Sequence, residues 1–175
     1  PYLRSHPLTA ARITHVRDHV ANSKYSHLKS KPQIQTMHDR MRGKLRGFIN
    51  PSERTLQEYS PNDPNPGTQY ARAIALSKDQ EVDRAVAIVD GLIAASPQDP
   101  FFHELKGDLL KKGGYTQEAI APYTKALELL PWAALIKINL AQLQLENRSD
   151  GQLVRARDNL IDALRYEPEM ASAWR

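Results

Sequence analysis

Two rhythms run through residues 66–170. The shorter one is helical: in 117–130 the apolar side chains fall at Ala119, Ile120, Tyr123, Ala126, Leu127 and Leu130, one continuous stripe at a spacing near 3.6. The longer one is a repeat. Ala85 and Ala119, Pro97 and Pro131, Leu76 and Leu110, and Ala73 and Gly107 all share one separation, a period of about 34 residues. Four registers agreeing on one period predict a unit of two helices joined by a tight turn, used in tandem. In the first unit, 66–99, helix A covers 69–77 and helix B 82–95. The second covers 100–133, with its B helix over 117–130, and the third covers 134–170.

The small residues have a mechanical meaning. Gly107 and Ala119 let paired helices approach, because a larger side chain would push the axes apart. Gly113 and Gly114 are placed to end helix A, where a left-handed residue costs least. Pro131 stops helix B, since it cannot continue the backbone ladder. The third unit stretches: the step from Ala141 to Ala156 is longer than the matching step from Gly107 to Ala119. Asn147, Arg148, Ser149, Asp150 and Gly151 supply turn chemistry there, so the insertion is expected to lengthen the A–B turn and leave the helices intact. Leu160, Ala163 and Pro168 resume the register. Ala171 and Trp174 start a fourth unit, 171–175, and its early stop predicts a truncated array. Gly107, Ala119, Tyr123, Ala126 and Pro131 also fall where the tetratricopeptide repeat (TPR) pattern places small, small, aromatic, small and proline, so the region resembles a TPR array. The expected fold is all-α: a helix–turn–helix solenoid of about three repeats plus the start of a fourth, preceded by N-terminal helices.

Two more helices are predicted upstream. One, over 8–22, carries Ile13, Val16 and Val20 on one face. The other, over 31–49, carries a stripe of Ile34, Met37, Met41, Leu45, Phe48 and Ile49. Ser30 and Gln33 have capping-box spacing, and Pro32 suits a first turn. The opposite face of the second helix holds Arg40, Arg42, Lys44 and Arg46. Pro51, Pro61, Asn62, Pro64, Asn65, Pro66 and Gly67 mark a linker to about residue 67, interrupted by a short helix over 52–59.

Charge divides the chain at the same place. Residues 1–60 hold 11 Lys/Arg against 4 Asp/Glu, a balance of +7, and 61–175 hold 13 against 16, a balance of −3. The basic 1–60 segment therefore faces a different environment from the repeats. The 41% apolar and 25% charged composition suits a folded chain. The absence of cysteine removes disulfides and thiolate chemistry. No apolar run reaches the roughly 18 residues that span a bilayer. Pro1 in place of Met predicts an excised piece.

Ser5 to Ile13 (S-H-P-L-T-A-A-R-I), Asp39 to Phe48 (D-R-M-R-G-K-L-R-G-F) and the Tyr70-A-R-A-I-A start of the repeats resemble the region after the catalytic domain in BepA-like bacterial zinc metallopeptidases with C-terminal TPRs. The resemblance implies a periplasmic peptidase parent, zinc in that parent, and His6 as a neighbour of its metal centre. The family's H-E-x-x-H helix and downstream Glu ligand have no counterpart here. The chain is accordingly expected to be non-catalytic, with no cofactor of its own.

Other candidate chemistry is thin. His15, Asp18 and His19 form H-x-x-D-H, an i,i+4 pair that could grip a metal, but the zincin pattern needs Glu and a third ligand; two solvated histidines are the simpler reading. The Arg40–Arg46 row could meet phosphates. It lacks interleaved aromatics, so a solvated face, or one docked on a catalytic domain, is expected instead of nucleic acid. The stronger candidate is a protein-binding trough lined by the A helices. The TPR groove positions transfer to Tyr70, Ile74 and Lys78; to Phe101, Glu104, Asp108, Lys111 and Lys112; and to Leu135, Ile138, Asn139, Gln142 and Glu146. The lining is mixed, suited to an extended or helical segment. Tyr70 and Ile74 fill the first two places of the basic-and-Asn clamp that some TPRs use for a terminal carboxylate, so no such clamp is expected. The expected partners are proteins or peptides, including the parent protease domain. The alternatives are a free-standing TPR adaptor and, after it, a nucleic-acid-binding helical protein.

Overall fold

The computed structural model describes residues 9–29, 31–147 and 149–169. His6, Ser30, Arg148, Ala171 and Trp174 lie outside them, and so do the capping box and the fourth unit. Among the described residues the structure is all-helical, with no strand. It divides into two compact units, 1–35 and 36–175.

In the first unit α1 spans Thr9–Ala21. Ile13, Val16 and Val20 are all exposed. α2 spans Pro32–Ile49 and continues into the second unit. There it is followed by the short α3, Ser52–Glu58. Arg72 Nη1 donates to the Tyr59 carbonyl at 2.6 Å, which ties the end of α3 to the next helix. The array proper is α4 Pro66–Lys78, α5 Val82–Ala95, α6 Pro100–Lys112, α7 Thr116–Leu129, α8 Ala134–Asn147 and α9 Asp150–Tyr166. Sequential helices pack on one another as antiparallel hairpins, a helical-repeat solenoid.

The repeat is legible in individual hydrogen bonds. Asn65 and Asp99 cap α4 and α6, accepting from the Gly67 and Phe101 amides at 2.8 and 3.0 Å. Pro66 and Pro100 follow as first helical residues. At the other ends the Glu81 amide donates to the Leu76 carbonyl at 3.0 Å and the Tyr115 amide to the Leu110 carbonyl at 2.9 Å. These are the long closing bonds of a helix that ends through a left-handed residue. That residue is Gly114 in one repeat, at φ +83°, and Gln80 in the other, at φ +63°. Gly113 remains right-handed, at φ −76°.

The core sits between A and B helices. Tyr70, Ile74, Leu76, Val89, Phe102, Leu105 and Leu109 form one cluster, and Tyr123, Ala126, Ile136, Leu140 and Leu143 the next. Gly107 makes room for the Tyr123 ring: a Cβ there would stand 2.9 Å from three of its carbons.

One expectation is corrected. The third repeat's extra residues do not lengthen the A–B turn. α8 ends at Asn147 and α9 begins at Asp150. The surplus enters α9, which has 17 residues where α7 has 14. Ser149 is extended at φ −77°, ψ 144° and serves as the N-cap position. The Gln152 and Leu153 amides bond back to its carbonyl, so Asp150 and Gly151 become the first turn.

Candidate functional site: the inner face and the helix seated on it

The surface formed by α4 and α6 is already occupied by a helix of the same chain. α2 and α4 meet at three glycines. A Cβ on Gly43 would run into the Gly67 backbone, one on Gly67 into the Asp39 backbone, and one on Gly47 would stand 2.9 Å from the Ile74 Cβ. Backbones meet here at a distance that only glycine allows.

Polar contacts continue the seat onto α6. Arg40 pairs with Asp99, and its guanidinium lies 4.4 Å from the Phe101 ring centroid. Lys44 reaches Glu104 at 3.6 Å. Arg46 pairs with Glu58 at 3.2 Å. Lys78 reaches back from α4 and donates to the carbonyls of Gly47, Phe48 and Asn50 at 3.3, 3.1 and 2.5 Å, closing the C-terminal end of α2. The basic row was expected to be solvated or docked on another domain. Two of its four cations, Arg40 and Lys44, are instead turned onto this chain's own repeats.

The consequence is an inverted amphipathic helix. With its glycine and basic side down, α2 presents Met37, Met41, Leu45, Phe48 and Ile49 to solvent, each more than half exposed. Ile34, at its start, is likewise exposed. A contiguous exposed apolar stripe of this kind is a candidate interaction surface.

The thirteen expected lining residues divide three ways. Tyr70 and Ile138 are buried in the core, which corrects their assignment as open groove surface, and Ile74 is buried as well but lines the pocket described below. Tyr70 stands 6.2 Å from Phe102, ring to ring. Phe101, Glu104 and Lys78 are engaged with α2. The other seven lie on α6 and α8. Lys111 Nζ donates to Gln142 Oε1 at 2.7 Å and Asn139 Oδ1 at 3.4 Å, joining α6 to α8. Lys112 Nζ donates to Ser77 Oγ at 3.2 Å, joining α6 to α4. Leu135, Gln142 and Glu146 are exposed. Asp108 accepts from the Tyr123 hydroxyl at 2.5 Å.

Where α2 ends, the inner face opens into a pocket of about 180 Å3. Ile74, Leu105 and Leu109 form its floor and Phe48 one side, and Lys78, Asp108 and Lys112 stand around it. Four of the expected lining residues, Ile74, Lys78, Asp108 and Lys112, thus converge on one place. Burial pushes the Glu104 carboxyl above the usual carboxylate range, against the pull of Lys44. Burial likewise raises Asp108, opposed by the Tyr123 hydrogen bond and by Lys44 and Lys111.

His15 and His19 are exposed on α1. Among the described residues no group of three or more His, Asp or Glu could hold a metal. No described helix is long and apolar enough to cross a membrane. Sequence reasoning missed the seat of α2; its signal was Gly43 and Gly47, four apart on the face bearing Arg40 and Lys44. No protein-family model matches the chain, and no curated protein matches it either.

Proposed function

We propose that this chain is a non-catalytic, protein-binding scaffold of the TPR kind, the tail of a BepA-like zinc metallopeptidase. In this reading the α2 stripe docks on the peptidase domain, and the inner face beyond α2 positions segments of substrate or partner. Zinc would belong to the parent's own domain, as the sequence resemblance implies.

The observation that carries the reading is the orientation of α2. A helix held by its polar face, with Met37, Met41, Leu45 and Phe48 outward, offers apolar area that gains free energy only when another body covers it. The same seat supports the second half of the reading, because the inner face already accepts a helix through ion pairs, a cation–π contact and close backbone approach. The parentage rests on the sequence resemblance of Asp39 to Phe48 and of the repeat start.

The test is co-expression with the segment encoded immediately upstream. That segment should contain an H-E-x-x-H helix and should co-elute with this chain on size exclusion. Co-elution should be lost in the double variant Met41→Ser, Leu45→Ser. An upstream segment without that helix, or co-elution indifferent to the variant, sinks the proposal.

A further inference from the structure

The pocket at the end of α2 has a chemistry of its own. About 180 Å3 is well below the roughly 300–1,000 Å3 of sites that enclose a whole small molecule. It suits one side chain presented by a larger partner. Ile74, Leu105 and Leu109 make its lining aliphatic, and Phe48 adds an aromatic side chain.

The mouth carries an excess of positive charge. Lys78 and Lys112 line it beside Asp108, two cations against one acid, and the charges of Lys44 and Lys111 also act on Asp108. All four lysines hold fixed positions through bonds to Glu104, to the end of α2, to Gln142 and to Ser77.

We infer that this pocket is a recognition site for one apolar side chain, of Leu or Met size, carried by a partner segment whose flanking residues are acidic. The inference rests on the reading of the chain as a protein-binding scaffold and names the segment that scaffold takes. The aliphatic floor selects the anchor, and the lysine mouth selects the flanks. The lysines already ordered in the free chain reduce the entropy lost on binding.

The experiment uses the full chain and fluorescein-labelled short peptides of Glu, Asp and Ser around a single central Leu, read by anisotropy. The parent peptide should bind, and changing its Leu to Ala should weaken binding about tenfold to a hundredfold, the range for burying one such side chain. Lys112→Glu and Phe48→Ala should each weaken the parent peptide by tenfold or more. Lys125→Glu, the same charge change on α7 outside the pocket lining, should not. Binding that survives the Leu→Ala change, or falls equally with Lys112→Glu and Lys125→Glu, overturns the pocket while leaving the scaffold reading in place. A randomised peptide library that yields no binder to the unaltered chain removes the scaffold's inner-face role along with the pocket.

Discussion

Gln80 stands where Gly114 stands one repeat later, and both are left-handed, at φ +63° and +83°. A side chain in that conformation costs about 1–2 kcal/mol, because Cβ crowds the following carbonyl. Glycine removes the crowding but loses about 0.4–1 kcal/mol through its freer unfolded chain. Gln80→Gly is therefore expected to stabilise the array by roughly 0.5–1 kcal/mol. In a chain of this size that raises Tm by about 1–4 °C. Gln80 is exposed, so its side chain forfeits little packing. Gly114→Gln should have the opposite sign and at least the same size. The assay is thermal and urea denaturation followed by far-UV circular dichroism, with the m-value checked for constancy. A destabilised Gln80→Gly, or a neutral Gly114→Gln, would refute the claim that the two turns are structural equivalents one period apart.

Other expectations follow from the same geometry. Gly43→Val has no room, since its neighbour is Gly67 backbone rather than a mobile side chain. It should cost about 1–3 kcal/mol as overpacking and raise hydrogen exchange in residues 40–49, while α6–α9 keep their protection. Unchanged exchange there contradicts the seat. Glu104 and Asp108 have folded-state pKa values above their ordinary ones, so the folded chain binds protons first as pH falls. Their penalty is present at neutral pH and is relieved as pH drops towards the ordinary carboxylate range. Asp63 and Asp162, whose values are lowered, act oppositely, and their stabilising effect is lost below that range. Stability should thus rise as pH falls from neutral towards the ordinary carboxylate range, and more weakly in Glu104→Gln; a fall over that range, seen in melting curves, is the contrary result.

The repeat is readable because its determinants are local and recur at one spacing. Small residues, caps, a left-handed turn and a terminating proline each constrain backbone within a few residues. Asn65 and Asp99 are determinants of the same kind, caps in matching places of successive repeats, each followed by proline. The α9 extension is harder, because Asp150 and Gly151 read as turn residues until Ser149 takes the cap position and the helix starts beneath them. The α2 seat runs against the amphipathic rule. A stripe of Met, Leu and Phe predicts which face is buried only when the competing face has nothing to offer. Here the opposite face has two glycines that admit α4, and cations opposite Asp99 and Glu104, which lie far along the sequence. The transferred groove positions fail at Tyr70 and Ile138 for a related reason. A position on an A helix is open only where no neighbouring helix covers it.

Hydroxyl-radical footprinting of the dilute, isolated chain bears most directly on the inverted placement of α2. Met37, Met41, Leu45 and Phe48 should label heavily, and Tyr70, Phe102 and Tyr123 should be protected. Strong protection of the α2 methionines, with Phe101 freely labelled, would mean that the helix buries its stripe and that the seat through Arg40, Gly43 and Lys44 is wrong.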